Sequence, residues 1–134
     1  MFDLNTLALN DTFTLQLSHP VTGDKLFADK EETQPVSITL YGTSSKQYRN
    51  AVAGMQNRQL RRTAKKEKAT AEVMREESVS LLVACAAGSN NLAYEGQAVV
   101  TDTNFRALFS DARFSWIKDQ VDEALGDISN FLAQ

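Results

Sequence analysis

Phe114, Ile117, Val121, Ala124, Ile128 and Phe131 recur at spacings of three, four, three, four and three. That is the period of one helix face, so the segment reads as a continuous amphipathic helix, with Asp111 placed as its N-cap. An apolar stripe of this kind is stable when other structure covers it, so the rest of the chain must supply a surface. The chain has 134 residues, 43% of them hydrophobic and 23% charged, which suffices for a core. A single domain over residues 1–134 is expected.

The covering surface is expected from the first third. Thr12 to Leu17 alternates polar and apolar, placing Phe13, Leu15 and Leu17 on one face of a strand. His19-Pro20-Val21-Thr22-Gly23-Asp24 has turn chemistry, and Lys25 to Ala28 follows as a candidate returning strand. Asp29 to Gln34 is polar loop. Val36 to Tyr41 alternates again and is the clearest strand. The expectation is a small antiparallel sheet of three strands.

After Gly42 the period changes. Thr43, Ser44 and Ser45 offer N-cap oxygens, and Tyr48, Val52 and Met55 fall at helical spacing. A basic run follows, with Arg58, Arg61, Arg62, Lys65, Lys66 and Lys68 inside eleven residues. Residues 57–69 are therefore expected as an exposed helix or a mobile link. A second helix is expected from about Ala69, turning Met74, Leu81, Leu82 and Cys85 inward and ending at Gly88-Ser89-Asn90-Asn91. Gly96 to Val100 reads as a short extended piece. Thr103 is placed to cap a helical turn or two bearing Phe105, Leu108 and Phe109. The fold class is α+β: a small N-terminal antiparallel sheet, then several helices, the last one amphipathic and packed across the sheet.

Catalytic constellations are hard to assemble from these residues. His19 is the single histidine and sits in a turn before proline; Cys85 is the single cysteine and lies in an apolar helical run. Together they are too few for a zinc site of Cys/His type. The glycines form no phosphate-cradling motif. Glu31-Glu32 and Glu76-Glu77 read as solvated surface. The apolar run Leu81 to Ala87 falls far short of the roughly 20 residues that cross a bilayer, and no signal peptide is read at the N-terminus. A soluble, non-enzymatic protein without cofactor or metal is expected.

Two features point to binding instead. Cations along the run from Arg58 to Lys68 would attract a polyanion, which makes a small nucleic-acid-binding module the alternative reading. Aromatics that could stack on bases are absent from the run, and Glu67 interrupts it, which favours a solvated surface or a protein interface. Glu72, Glu76 and Glu77 are candidate partners for Lys68, for Arg75 or for another subunit. Trp116 lies about 200° around the helix from Phe114 and shares a side with Gln120, Glu123 and Asp127. It either packs under the sheet or anchors an interface. The candidate interface residues are Arg58, Arg61, Arg62, Lys65, Lys66, Trp116, Gln120 and Glu123. The net charge is −3, but the basic run and the acidic last helix are opposite in sign, so weak, salt-sensitive association between copies is expected.

The order of these elements is familiar. A sheet leads into Tyr41-Gly42-Thr43-Ser44-Ser45-Lys46-Gln47-Tyr48-Arg49 and a charged helical middle. Tyr94-Glu95-Gly96 precedes Thr103-Asn104-Phe105-Arg106-Ala107-Leu108, and the end carries Trp116-Ile117-Lys118-Asp119-Gln120-Val121 and Asn130-Phe131. From about Phe13 to Phe131 this resembles the tail assembly chaperones of bacteriophages with long, non-contractile tails, the lambda-like tail chaperone family. The chain departs from that pattern at Gly88-Ser89-Asn90, where many relatives carry a tryptophan.

The resemblance implies an α+β protein of the host cytoplasm that acts during tail assembly and is absent from the mature virion. It implies binding to the tape measure protein, a long helical chain. It also implies recruitment of the tail tube protein through a longer frameshifted form, of which this chain would be the shorter product. Self-association, with no membrane and no nucleic acid as partner, belongs to the same expectation.

Overall fold

The structure is a computed structural model and describes residues 1–132. It is an α+β fold in which a three-stranded antiparallel sheet is followed by helices. Strand β1 (Thr12–Gln16) pairs with β2 (Ser37–Tyr41), Thr12 opposite Tyr41 and Leu15 opposite Ile38. Phe13 and Leu15 are half-buried and Leu17 fully buried, the face their alternation assigns.

The third strand is not the expected one. Lys25 to Ala28 makes only isolated bridges, Lys25 to Ser18 and Phe27 to Pro35. The other edge of the sheet is β3 (Ala86–Asn90), which places β2 in the centre in the order β1-β2-β3. Its residues Ala-Ala-Gly-Ser-Asn have little strand propensity. Pairing with the buried β2 overrides it, since propensity in sheets depends chiefly on context. The segment read as a helix cap and loop is therefore a strand.

Two helices stand between β2 and β3. Ser45 caps α1 (Lys46–Ala64) by accepting the Tyr48 amide, and Thr70 caps α2 (Ala71–Cys85) by accepting the Val73 amide. They form an antiparallel hairpin. No residue of α1 is fully buried, and in α2 burial begins at Val79. Met74, expected inward, is 63% exposed, because the first turns of α2 lie beyond the core; Leu82 and Cys85 are buried as expected, Leu81 is half-buried, and Val79 and Val83 join the core.

A short hairpin, β4 (Ala93–Tyr94) and β5 (Gln97–Ala98), leads to α3 (Asp102–Ser110). The N-cap of α3 is Thr101 rather than Thr103, in a capping box with Asn104. Phe105, Leu108 and Phe109 are buried as expected. Asp111 caps a 3-10 turn, Ala112–Phe114, that feeds α4 (Ser115–Gly126).

The expected continuous last helix is broken. It stops at Gly126, and the Asp127 carboxylate caps a separate 3-10 turn, Ile128–Phe131, through the Ser129 amide. Glycine is a poor helix former, and aspartate competes for the backbone with its own side chain. The break leaves Ile128 61% exposed while Phe131 remains in the core with Ile117, Val121 and Ala124. The core joins Ile38 and Leu40 of the sheet to residues of α2, α3 and α4.

Candidate functional site

The basic run does not form one patch. Helical phase turns Arg58 and Arg62 toward α2, where both meet Glu77. Arg58 donates from Nε and Nη2 to the carboxylate at 2.8 and 2.7 Å, and Arg62 Nη1 lies 3.4 Å from Oε1. These arginines, Arg58 first, hold the Glu77 carboxyl below its usual range. The partner of Glu77 thus lies across the hairpin, not along the helix at Lys68 or Arg75. The spacing carried a signal for this: Tyr48, Val52 and Met55 continue at three and four residues to Arg58 and Arg62.

Arg61, Lys65, Lys66 and Lys68 remain exposed. Among the described residues none of them makes an ion pair. Arg61 lies in the last turn of α1, Lys65 and Lys66 form the turn that ends it, and Lys68 follows. Lys66 donates to the Thr63 carbonyl and Glu67 to the Arg62 carbonyl, closing α1 with a Schellman motif. Leu60, on the last turns of the same helix, is 67% exposed beside them.

A groove of about 600 Å³ opens where α1, α2 and α3 meet. Arg58, Arg75 and Arg106 line it together with Glu72, Glu76 and Glu77, so it carries both signs of charge. Arg106 donates to the Ser80 hydroxyl at 3.2 Å. Sequence reasoning did not single out Arg75 or Arg106 as site residues. Their convergence depends on how three helices pack, and no local spacing encodes it.

The α4 candidates have divergent settings. The Gln120 amide is committed internally: it accepts from the Ser18 N–H at 2.9 Å and donates to the Ser18 carbonyl at 2.8 Å. Glu123 is exposed, as are Asp119 and Asp122, the last paired with Lys118. Trp116 is half-buried and packs on the core, so it combines features of both alternatives. It also lines a mainly apolar pocket of about 270 Å³ with Leu26, Val36, Leu92, Tyr94 and Phe114.

A charge cluster braces that pocket. Tyr94 donates to Asp111 at 2.6 Å, Arg113 bonds both Asp111 and Glu95, and the Arg113 guanidinium lies over the Phe114 ring. Arg113 first, then Tyr94, hold the Asp111 carboxyl far below the usual range. Elsewhere, His19 Nδ1 accepts the amides of Val21 and Thr22, which makes it a turn-forming residue. Burial removes the Cys85 side chain from solvent and pushes its thiol up to about 11, away from the reactive thiolate. Among the described residues no group of three or more His, Cys, Asp or Glu side chains is arranged to hold a metal ion. Among the described residues no helix is long and apolar enough to cross a membrane.

Comparison with known proteins finds no matching family model, no similar curated protein and no similar solved structure.

Proposed function

We propose that this protein is a phage tail assembly chaperone that binds the tape measure protein during tail morphogenesis. In this reading a longer frameshifted form recruits the tail tube protein. The observation that carries the proposal is the groove between α1, α2 and α3. Its walls carry arginines and glutamates together, and exposed Met74 precedes its Arg75 in the chain. A long helical client with an apolar stripe and charges of both signs suits such a groove, as in other helix-in-groove recognition. Each contact would be modest. Many copies along one client would hold it through multivalency.

The split of the basic run supports protein over nucleic acid as partner. Arg58 and Arg62 spend their charge on Glu77, which shrinks the phosphate-binding potential of the run. Steep salt-dependent DNA binding at low ionic strength would reverse that preference.

The decisive experiment is co-expression with the tape measure protein, followed by affinity capture. Capture of the pair is expected, with Arg75→Glu and Arg106→Glu together weakening it at least tenfold. Two folded, soluble proteins that fail to associate would overturn the proposal.

A further inference from the structure

We infer that the tip of the α1–α2 hairpin in one copy docks on α4 of another copy, with Leu60 entering the pocket beside Trp116. Two patches on the chain complement each other in charge. Arg61, Lys65, Lys66 and Lys68 crowd the tip, and Asp119, Asp122 and Glu123 stand exposed on α4. Among the described residues no ion pair joins the two patches within one chain. The four cations, Asp119 and Glu123 thus make no ion pair among the described residues, while Asp122 is shared with Lys118. Opposed patches of this kind steer association.

Apolar matching fixes the register. Leu60 is 67% exposed and immediately precedes Arg61. On the acceptor side, Asp119 lies one helical turn beyond Trp116 and Glu123 two turns beyond it. An apolar anchor beside cations at the hairpin tip therefore meets an apolar pocket followed by carboxylates along α4. The pocket volume of about 270 Å³ exceeds what a leucine side chain occupies. On the acceptor side the aromatic ring of Trp116 is of the residue type that most often anchors interfaces.

Donor and acceptor patches differ, so the contact is heterologous and each copy keeps one patch of each kind free. Repetition gives a ring or an open helical chain. This surface is separate from the client groove lined by Arg75 and Arg106, so the two readings can fail independently.

Sedimentation velocity tests the inference with two neutralised variants. One replaces Arg61, Lys65, Lys66 and Lys68 with Gln; the other carries Asp119→Asn and Glu123→Gln. All these side chains are exposed, and circular dichroism checks that both variants fold. The unaltered protein at low salt should give a mass that rises with concentration and falls as salt screens the contact. Each variant alone should sediment as a monomer. Mixed at equal concentration they should form pairs and nothing larger, because one complementary patch survives on each. Leu60→Ser should raise the dissociation constant about tenfold, the loss of one buried leucine anchor. A monomer at every concentration in low salt, a tip-neutral variant that associates like the unaltered chain, or mixed variants that stay apart would each overturn the inference.

Discussion

A Cβ placed on Gly42 would lie 2.6 Å from Cδ1 of Phe131 and 2.7 Å from Cε1. The ring has little room to yield, being 2% exposed and packed edge-on against Phe13 with centroids 5.8 Å apart. Gly42→Ala should therefore destabilise the fold by about 1–3 kcal/mol through overpacking. Urea unfolding would measure it. Combining the change with Phe131→Leu should cost less than the sum of the two, because the smaller side chain relieves the clash. Strict additivity would mean that the contact does not set the cost.

Gln120 joins α4 to the segment just after β1 through both backbone groups of Ser18. Gln120→Ala should cost about 1–3 kcal/mol, since it strands a part-buried amide and carbonyl. Gln120→Glu offers a finer test. At neutral pH its carboxylate can accept from the Ser18 N–H but faces the Ser18 carbonyl without a proton to donate. Its melting temperature, relative to the parent protein, should recover as pH falls toward 4 and the carboxyl protonates.

Lys66 adopts a φ of 57° at the position after the α1 C-cap, where glycine is the usual residue. Its Cβ imposes a left-handed-helix strain that glycine avoids. Lys66→Gly should stabilise the protein by roughly 1 kcal/mol, while Lys66→Ala should bring no such gain. Thermal melts of the two variants side by side would separate backbone strain from loss of charge.

Acid should loosen the pocket brace late, because Asp111 is held so far below the usual carboxylate range. The Asp111 carboxyl is depressed, so its stabilisation is present above the ordinary carboxylate value of about 4 and is lost as pH falls through the native value. Glu77 follows the same sign under Arg58 and Arg62. Asp111→Asn should melt below the parent protein at pH 7, and the difference should narrow toward pH 2. Parallel curves over that range would show that the carboxylate charge contributes nothing.

Much of this fold was legible where local pattern and packing agree. Alternation found β1 and β2, and three-four spacing found the buried face of α3. Alternation failed for β3 because small residues from Ala86 to Asn90 record only that β2 lies beside them. The α4 stripe overran because periodicity carries through Gly126 and Asp127, whereas capping chemistry ends the helix there. The site was legible in sign and not in grouping. A run of cations says nothing of which ones Glu77 takes, and the Trp116 pocket gathers Leu26, Val36, Leu92 and Tyr94 from distant parts of the chain. Such groupings exist after the chain has closed on itself.

The passage from α2 into β3 has a mechanical meaning. Cys85 is the last helical residue and Ala86 the first of the strand, with nothing between them to flex, and Ala86 pairs with Leu40 of β2. The 15 residues of α2 form a lever about 22 Å long from the hairpin tip to the sheet. A load applied at the first turn of α2 reaches β3 along unbroken backbone. Through the pairing of Ala86 with Leu40 it reaches the central strand, so whatever grips that end of α2 also pulls on the sheet.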